Sequence, residues 1–148
     1  PRRILDAPGD ESEPEVSPDG RWLAYSGDET GRSEIYLTRF PTGEGKWQVS
    51  TEGGAAARWG PTGTELFYID AQGFLVVVGI AAGPQPLLDA PKSLFGGLDY
   101  GLGGELLYAV GDGGQQILVV RSLQDSQQNP KLMLVQNWYA EFSGSGDR

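Results

Sequence analysis

The stretch Glu13-Pro14-Glu15-Val16-Ser17-Pro18-Asp19-Gly20-Arg21-Trp22-Leu23-Ala24-Tyr25-Ser26 returns twice further along this chain, and repetition fixes an architecture before any single motif is read. The second copy runs from Ala57 to Ile69 around Trp59-Gly60-Pro61-Thr62-Gly63. The third and most worn runs from Tyr108 to Val120 around Gly111-Asp112-Gly113-Gly114. Each reads as an apolar strand, a tight turn and a second apolar strand. Pro18 presets φ for the turn, Asp19 bonds the backbone just beyond it, and Gly20 supplies the positive φ that reverses the chain. The second copy keeps Pro61 and Gly63 with Thr62 in place of the Asp, and the third relies on Gly113 and Gly114 alone. Gly20, Gly63 and Gly114 therefore mark one structural position, at separations of 43 and 51 residues. Propeller blades, four-stranded units of about 40–50 residues, have this spacing.

The remaining strands follow the same grammar. In the first unit, residues 13–17, 22–27, 34–40 and 46–50 read as strands from the inside outward. In the second, residues 57–60, 65–70 and 74–80 do so, with an outer strand between 86 and 95. The third offers 106–110, 116–122 and 131–138 and lacks an outer strand, while residues 2–6 form a surplus one ahead of the first unit. The expectation is an all-β chain, a single partial propeller over residues 1–148. Its blades are roughly 7–50, 51–95 and 96–142, with strand 2–6 in the outer-strand position of a neighbouring blade. Twelve strands make three blades, half of a six-bladed ring. Three blades leave sheet edges open; a twofold pair of chains closes a six-bladed ring if strand 2–6 of each completes the third blade of the other.

Composition agrees and narrows function. Twenty-three Gly and ten Pro between strand-length apolar runs describe an all-β protein with many reversals. The formal charge of −9 repels phosphate backbones and anionic lipid, so neither nucleic acid nor a membrane surface is an expected partner. With no Cys and no His, the chain lacks thiol nucleophiles, cysteine metal sites and the commonest general base. No cofactor and no metal are expected. The most apolar run, residues 75–82, is far too short to span a bilayer.

The acidic stretches Asp10-Glu11-Ser12-Glu13-Pro14-Glu15 and Asp28-Glu29 lack the alternating carboxylate spacing of a calcium loop and read as solvated loops. Gly101-Leu102-Gly103-Gly104 and Gly111 to Gly114 precede no helix and read as turns rather than phosphate cradles. Trp22, Trp47, Trp59 and Trp138 fall at strand positions inside repeats, which favours packing over a ligand platform. Ser17, Ser26 and Ser50 have no nucleophile-elbow setting and no base to activate them. Because inner strands line a propeller's channel, Glu13 and Glu15 of the first unit and Arg58 of the second are the candidate binding residues. Pro18, Asp19, Gly20, Pro61, Gly63 and Gly114 are structural turn residues. No catalytic residue is expected.

The segments SPDGRWLAYSGDETGRSEIYLTRFP, GKWQVSTEGGAAARWGPTGTELFYID and KLMLVQNWYAEF resemble the TolB-like six-bladed propeller found at the C-terminus of bacterial eukaryotic-like Ser/Thr protein kinases. The likeness is most specific at Ser17 to Tyr25 and at Lys46 to Ser50. It departs at Thr62, where the family usually has Asp, and most at Gly111 to Gly114, where Ser-Pro-Asp-Gly is usual. It implies the C-terminal half of a propeller acting as a sensor or protein-interaction module beside a kinase domain, extracytoplasmic where that kinase spans a membrane. No kinase signature lies in the chain itself. Two other readings stand beside it: a propeller that gates or scaffolds a peptidase domain elsewhere in a longer chain, and a half-propeller whose main property is self-assembly.

Overall fold

The three repeats fold into three antiparallel sheets in a computed structural model that describes residues 3–5, 9–81, 83–98, 108–111, 115–121 and 131–136. No helix occurs among them. The first sheet is a meander of β1 (Glu11–Val16), β2 (Trp22–Gly27), β3 (Glu34–Arg39) and β4 (Trp47–Gln48). The second runs β5 (Ala55–Trp59), β6 (Glu65–Ile69) and β7 (Leu75–Ala81), and its outer position is shared by β8 (Leu87–Leu88) and β9 (Lys92–Phe95), which pair with opposite ends of β7. The third contains β10 (Tyr108–Gly111), β11 (Gln116–Arg121) and β12 (Lys131–Gln136).

The turns form as their residues dictate. Gly20 and Gly63 adopt φ of 70° and 72°, and each N–H closes its turn on the carbonyl three residues back, Ser17 at 2.8 Å and Gly60 at 2.9 Å. In the first turn the Ser17 hydroxyl accepts the Trp22 N–H at 3.0 Å and donates to Asp19 at 2.6 Å. That hydroxyl first, and Arg21 second, hold the exposed Asp19 carboxyl down at about 2. Pro18 and Pro61 sit in these turns; Gly114 lies outside the described residues.

Side-chain alternation then decides the packing. Call the side of each blade that meets the next one its forward face, and the other its rear face. Trp22, Ala24, Ile35, Leu37 and Val49 on the forward face of the first blade close on Ala57, Trp59, Leu66, Tyr68, Val76, Val78 and Ile80 on the rear face of the second. Phe67, Ile69, Leu75 and Val77 on the second blade's forward face close on Tyr108, Ile117 and Val119 of the third. The middle blade is thus sandwiched, so β6 and most of β7 are buried on both faces, which explains their near-continuous apolar runs. Trp22 packs edge-on against Trp47 at 5.4 Å, and with the buried Trp59 these indoles belong to the first interface. Trp138 lies outside the described residues.

Residues 3–5 are not in a strand within this single chain, and the Ile4 carbonyl lies against Gly43, in the approach to β4. Residues 2 and 6 fall outside the described set. In the second blade the outer position is broken in two where Asp89 turns its N–H back to the Gly79 carbonyl at 2.9 Å. The Pro91 that follows has no N–H to continue the ladder.

Candidate functional site

The three sheets come together through their first strands, β1 lying beside β5 and β5 beside β10. All three candidate binding residues sit in this row. β1 and β5 each break register at the same place in the repeat, between Ser12 and Glu15 and between Ala55 and Arg58. Within each bulge one residue is left-handed: Glu13 at φ 53° and Ala56 at φ 54°, again 43 positions apart. Neither is glycine, so each position stores about 1 kcal/mol or more of backbone strain.

Side chains from the neighbouring blades satisfy the bulge in β5. The Glu13 carboxylate reaches across and accepts the Ala56 N–H at 2.8 Å, while also accepting from the Ser26 hydroxyl at 2.7 Å. From the opposite side the Tyr108 hydroxyl donates to the Ala56 carbonyl at 2.6 Å. Ala56, displaced from its own ladder, is thus held by the first blade through its N–H and by the third through its C=O. One step along, Glu15 accepts the Trp59 N–H at 3.1 Å through Oε1 and pairs with Arg58 Nη1 at 2.7 Å through Oε2. The Trp59 indole N–H donates to the Glu15 carbonyl at 3.1 Å, and Arg58 donates to the Ala57 carbonyl at 2.7 Å.

Glu13, Glu15 and Arg58 are therefore brought together, and much of their bonding capacity is spent joining blades. Glu15 and Arg58 keep 27% and 25% of their side-chain surface exposed. They present one carboxylate and one guanidinium at the edge of the inner strands, groups suited to hydrogen-bonding a peptide backbone or a charged side chain. Ala56 and Tyr108 were not singled out from the sequence, and Ser26 was weighed only as a nucleophile. The recurrence of strand positions placed Tyr108 in an inner strand, but an alanine carries no signal of a left-handed bulge. Among the described residues, no group of three or more acidic side chains is arranged to hold a metal ion.

Burial dominates the titration of the tyrosines. It pushes Tyr25 and Tyr68 up to about 12, with nearby carboxylates adding to the rise, Glu29 and Glu11 at Tyr25 and Asp70 and Glu34 at Tyr68. Tyr108 is raised well above the usual phenol value by burial; Arg58 opposes the rise, and Glu15 and Glu13 reinforce it. A raised folded-state phenol stabilises the fold below the unfolded value of about 10, and that contribution is lost as pH climbs through the folded value. The melting temperature is expected to stay level on the alkaline side up to about pH 10 and to fall above it. Tyrosinate absorbance should then rise together with loss of near-ultraviolet dichroism. Complete tyrosine ionisation near pH 10 with the dichroism intact would contradict this burial.

No family model and no curated sequence matches the chain. Among solved structures it is similar to a TolB-assigned chain from Agrobacterium tumefaciens at 19% identity and a TM-score of 0.49, covering 65% of this chain and 39% of that one. It is also similar to TolB from Acinetobacter baumannii at 17% identity and a TM-score of 0.41, covering 90% of this chain and 43% of that one. The chain spans about two fifths of the length of these structures.

Proposed function

We propose that this chain is a non-catalytic, protein-binding propeller segment belonging to the sensor region of a bacterial receptor-like Ser/Thr kinase, and that its partners include a second copy of itself. The observation that carries the binding reading is the convergence of β1, β5 and β10, with a partly exposed Glu15–Arg58 pair at their edge. The kinase context rests on the sequence resemblance at Ser17 to Tyr25 and Lys46 to Ser50. The absence of His and Cys throughout the chain favours recognition over acid–base or thiol chemistry.

Peptides selected by display on the immobilised chain test the site. Glu15→Gln keeps an oxygen for the Trp59 N–H while removing the charge, and Arg58→Ala removes the guanidinium. Each is expected to weaken the selected peptides about tenfold, while costing at most about 1 kcal/mol of stability because the pair is partly solvated. Undiminished binding in both variants would move the site off the inner strands. Failure to enrich any peptide would count against a peptide-binding role.

A further inference from the structure

Arg58 is held at one end of its guanidinium and open at the other. Its Nη1 donates to Glu15 Oε2 and to the Ala57 carbonyl, each at 2.7 Å. Glu15 is itself fixed, because its Oε1 accepts the Trp59 N–H and its carbonyl accepts the Trp59 indole N–H, both at 3.1 Å. Two bonds to one nitrogen of a rigid planar group set the direction of the whole guanidinium. The opposite edge, Nε and Nη2, has no protein partner among the described residues. There the Nε–H and one Nη2–H point the same way, side by side, which is the fork that takes two oxygens of a carboxylate or phosphate at once. A free surface arginine must give up rotamer freedom to make such a pair, and Arg58 has given it up already.

We propose that the open edge of Arg58 is a subsite for one carboxylate of a bound peptide, supplied by its C-terminus or by an Asp or Glu side chain. This rests on the peptide-binding reading above and names the group that reaches the pair. Among the described residues of the inner strands β1, β5 and β10, Arg58 is the one cation. Charge decides between the two kinds of anion. Glu13 and Glu15 share the row, so a phosphate dianion meets net negative charge, whereas a carboxylate brings a single charge and pairs it with two donors. Glu13 is also occupied, its carboxylate accepting the Ala56 N–H and the Ser26 hydroxyl. At the Tyr108 hydroxyl the guanidinium acts more strongly than either carboxylate taken singly, so Glu15 does not cancel its field toward β10. Glu15 is the positioning residue: Glu15→Gln weakens binding because it releases Nη1 and with it the direction of the fork.

Three small probes, titrated into the isotope-labelled chain at fixed ionic strength, test the assignment. N-acetylglutamine carries a main-chain carboxylate, the α-amide of N-acetylglutamate a side-chain carboxylate, and the α-amide of N-acetylglutamine neither. The magnetic resonance signal of the Trp59 main-chain N–H reports binding, since that group donates to the carboxylate that holds Arg58. The expected result is a saturable shift in the millimolar range with one or both carboxylate probes and none with the neutral one, the active probe identifying the source of the carboxylate. Arg58→Lys keeps a charge beside Glu15 and loses the fork. It should weaken that probe about tenfold while leaving the near-ultraviolet dichroism and melting temperature close to those of the parent. No saturable shift, equal shifts with all three probes, or equal binding to the parent and to Arg58→Lys would overturn the subsite. Displayed peptides that still lose affinity in Arg58→Ala would in that case leave the peptide-binding reading standing. A carboxylate probe that titrates Trp59 while display enriches no peptide would overturn that reading and keep the subsite.

Discussion

Glu34→Ala is expected to lower stability by about 3 kcal/mol, a large share of the 5–15 kcal/mol typical of a domain. Glu34 opens β3 with its side chain 1% exposed, and its carboxylate is filled with donors. The Ser50 hydroxyl lies 2.5 Å from Oε2, the Gly53 N–H lies 3.1 Å from both oxygens, and Arg32 Nε lies 2.7 Å from Oε1. Ser50 passes the bond on by accepting the Ile35 N–H at 2.8 Å, and Arg32 also donates to the Thr51 carbonyl. The carboxylate therefore clasps the linker Ser50 to Gly54, which carries the chain from the first blade to the second, onto the start of β3. Alanine strands the Ser50 and Gly53 donors in a buried place, and each orphan costs about 1–3 kcal/mol. Glu34→Gln retains one oxygen and should cost less. Arg32→Ala should cost under about 1 kcal/mol, since Arg32 is 52% exposed and solvent screens its charge. Urea midpoints at constant m value give the order. Equal midpoints for Glu34→Ala and the parent would show that the clasp does not hold the linker.

That clasp was not legible in the sequence. The run from Glu34 to Phe40 alternates like a half-buried strand, so its first carboxylate reads as solvated. Only the return of Gly53 and Gly54 over it makes the site dry. Gly54 is close enough there that a Cβ would strike Ser50 and Ile35. The blades themselves were legible because their turns have chemical requirements that few residue types meet, as Gly20 and Gly63 show. The interfaces between them were half legible: alternation divides Leu66 and Tyr68 from Phe67 and Ile69, but only the fold reveals that both sets are covered. The inner-strand bulges left no trace, because neither Glu13 nor Ala56 is of a residue type that favours a left-handed φ, and Ala56 is held there by bonds from the first and third blades. The repeat puts Arg58 in the inner strand of the second unit, and Glu13 and Glu15 in that of the first. What the repeat does not encode is that these side chains reach across to backbone donors of the next blade.

Phe67→Ala should be more damaging than Glu34→Ala, at about 3–5 kcal/mol, and its effect should be unevenly distributed. Phe67 is fully buried on the forward face of the middle blade, among Ile69, Leu75, Val77, Tyr108, Ile117 and Val119. The third blade is joined to the second by this cluster and by the bond from Tyr108 to the Ala56 carbonyl. Removing the ring opens a cavity at the centre of that cluster. The first interface, built on Leu66 and Tyr68 from the same strand, keeps its contacts. Hydrogen exchange should therefore speed up in β10, β11 and β12 well beyond its change in β2 and β3. Leu66→Ala, at about 2–5 kcal/mol, faces the other way and should loosen β2 and β3 instead. The two substitutions are adjacent in sequence and differ only in the face they empty, so equal acceleration across all three blades in both variants would mean that the sheets unfold as one unit. Opposite patterns would establish that each blade is held by its own interface, and that the strand alternation of β6 decides which neighbour is released.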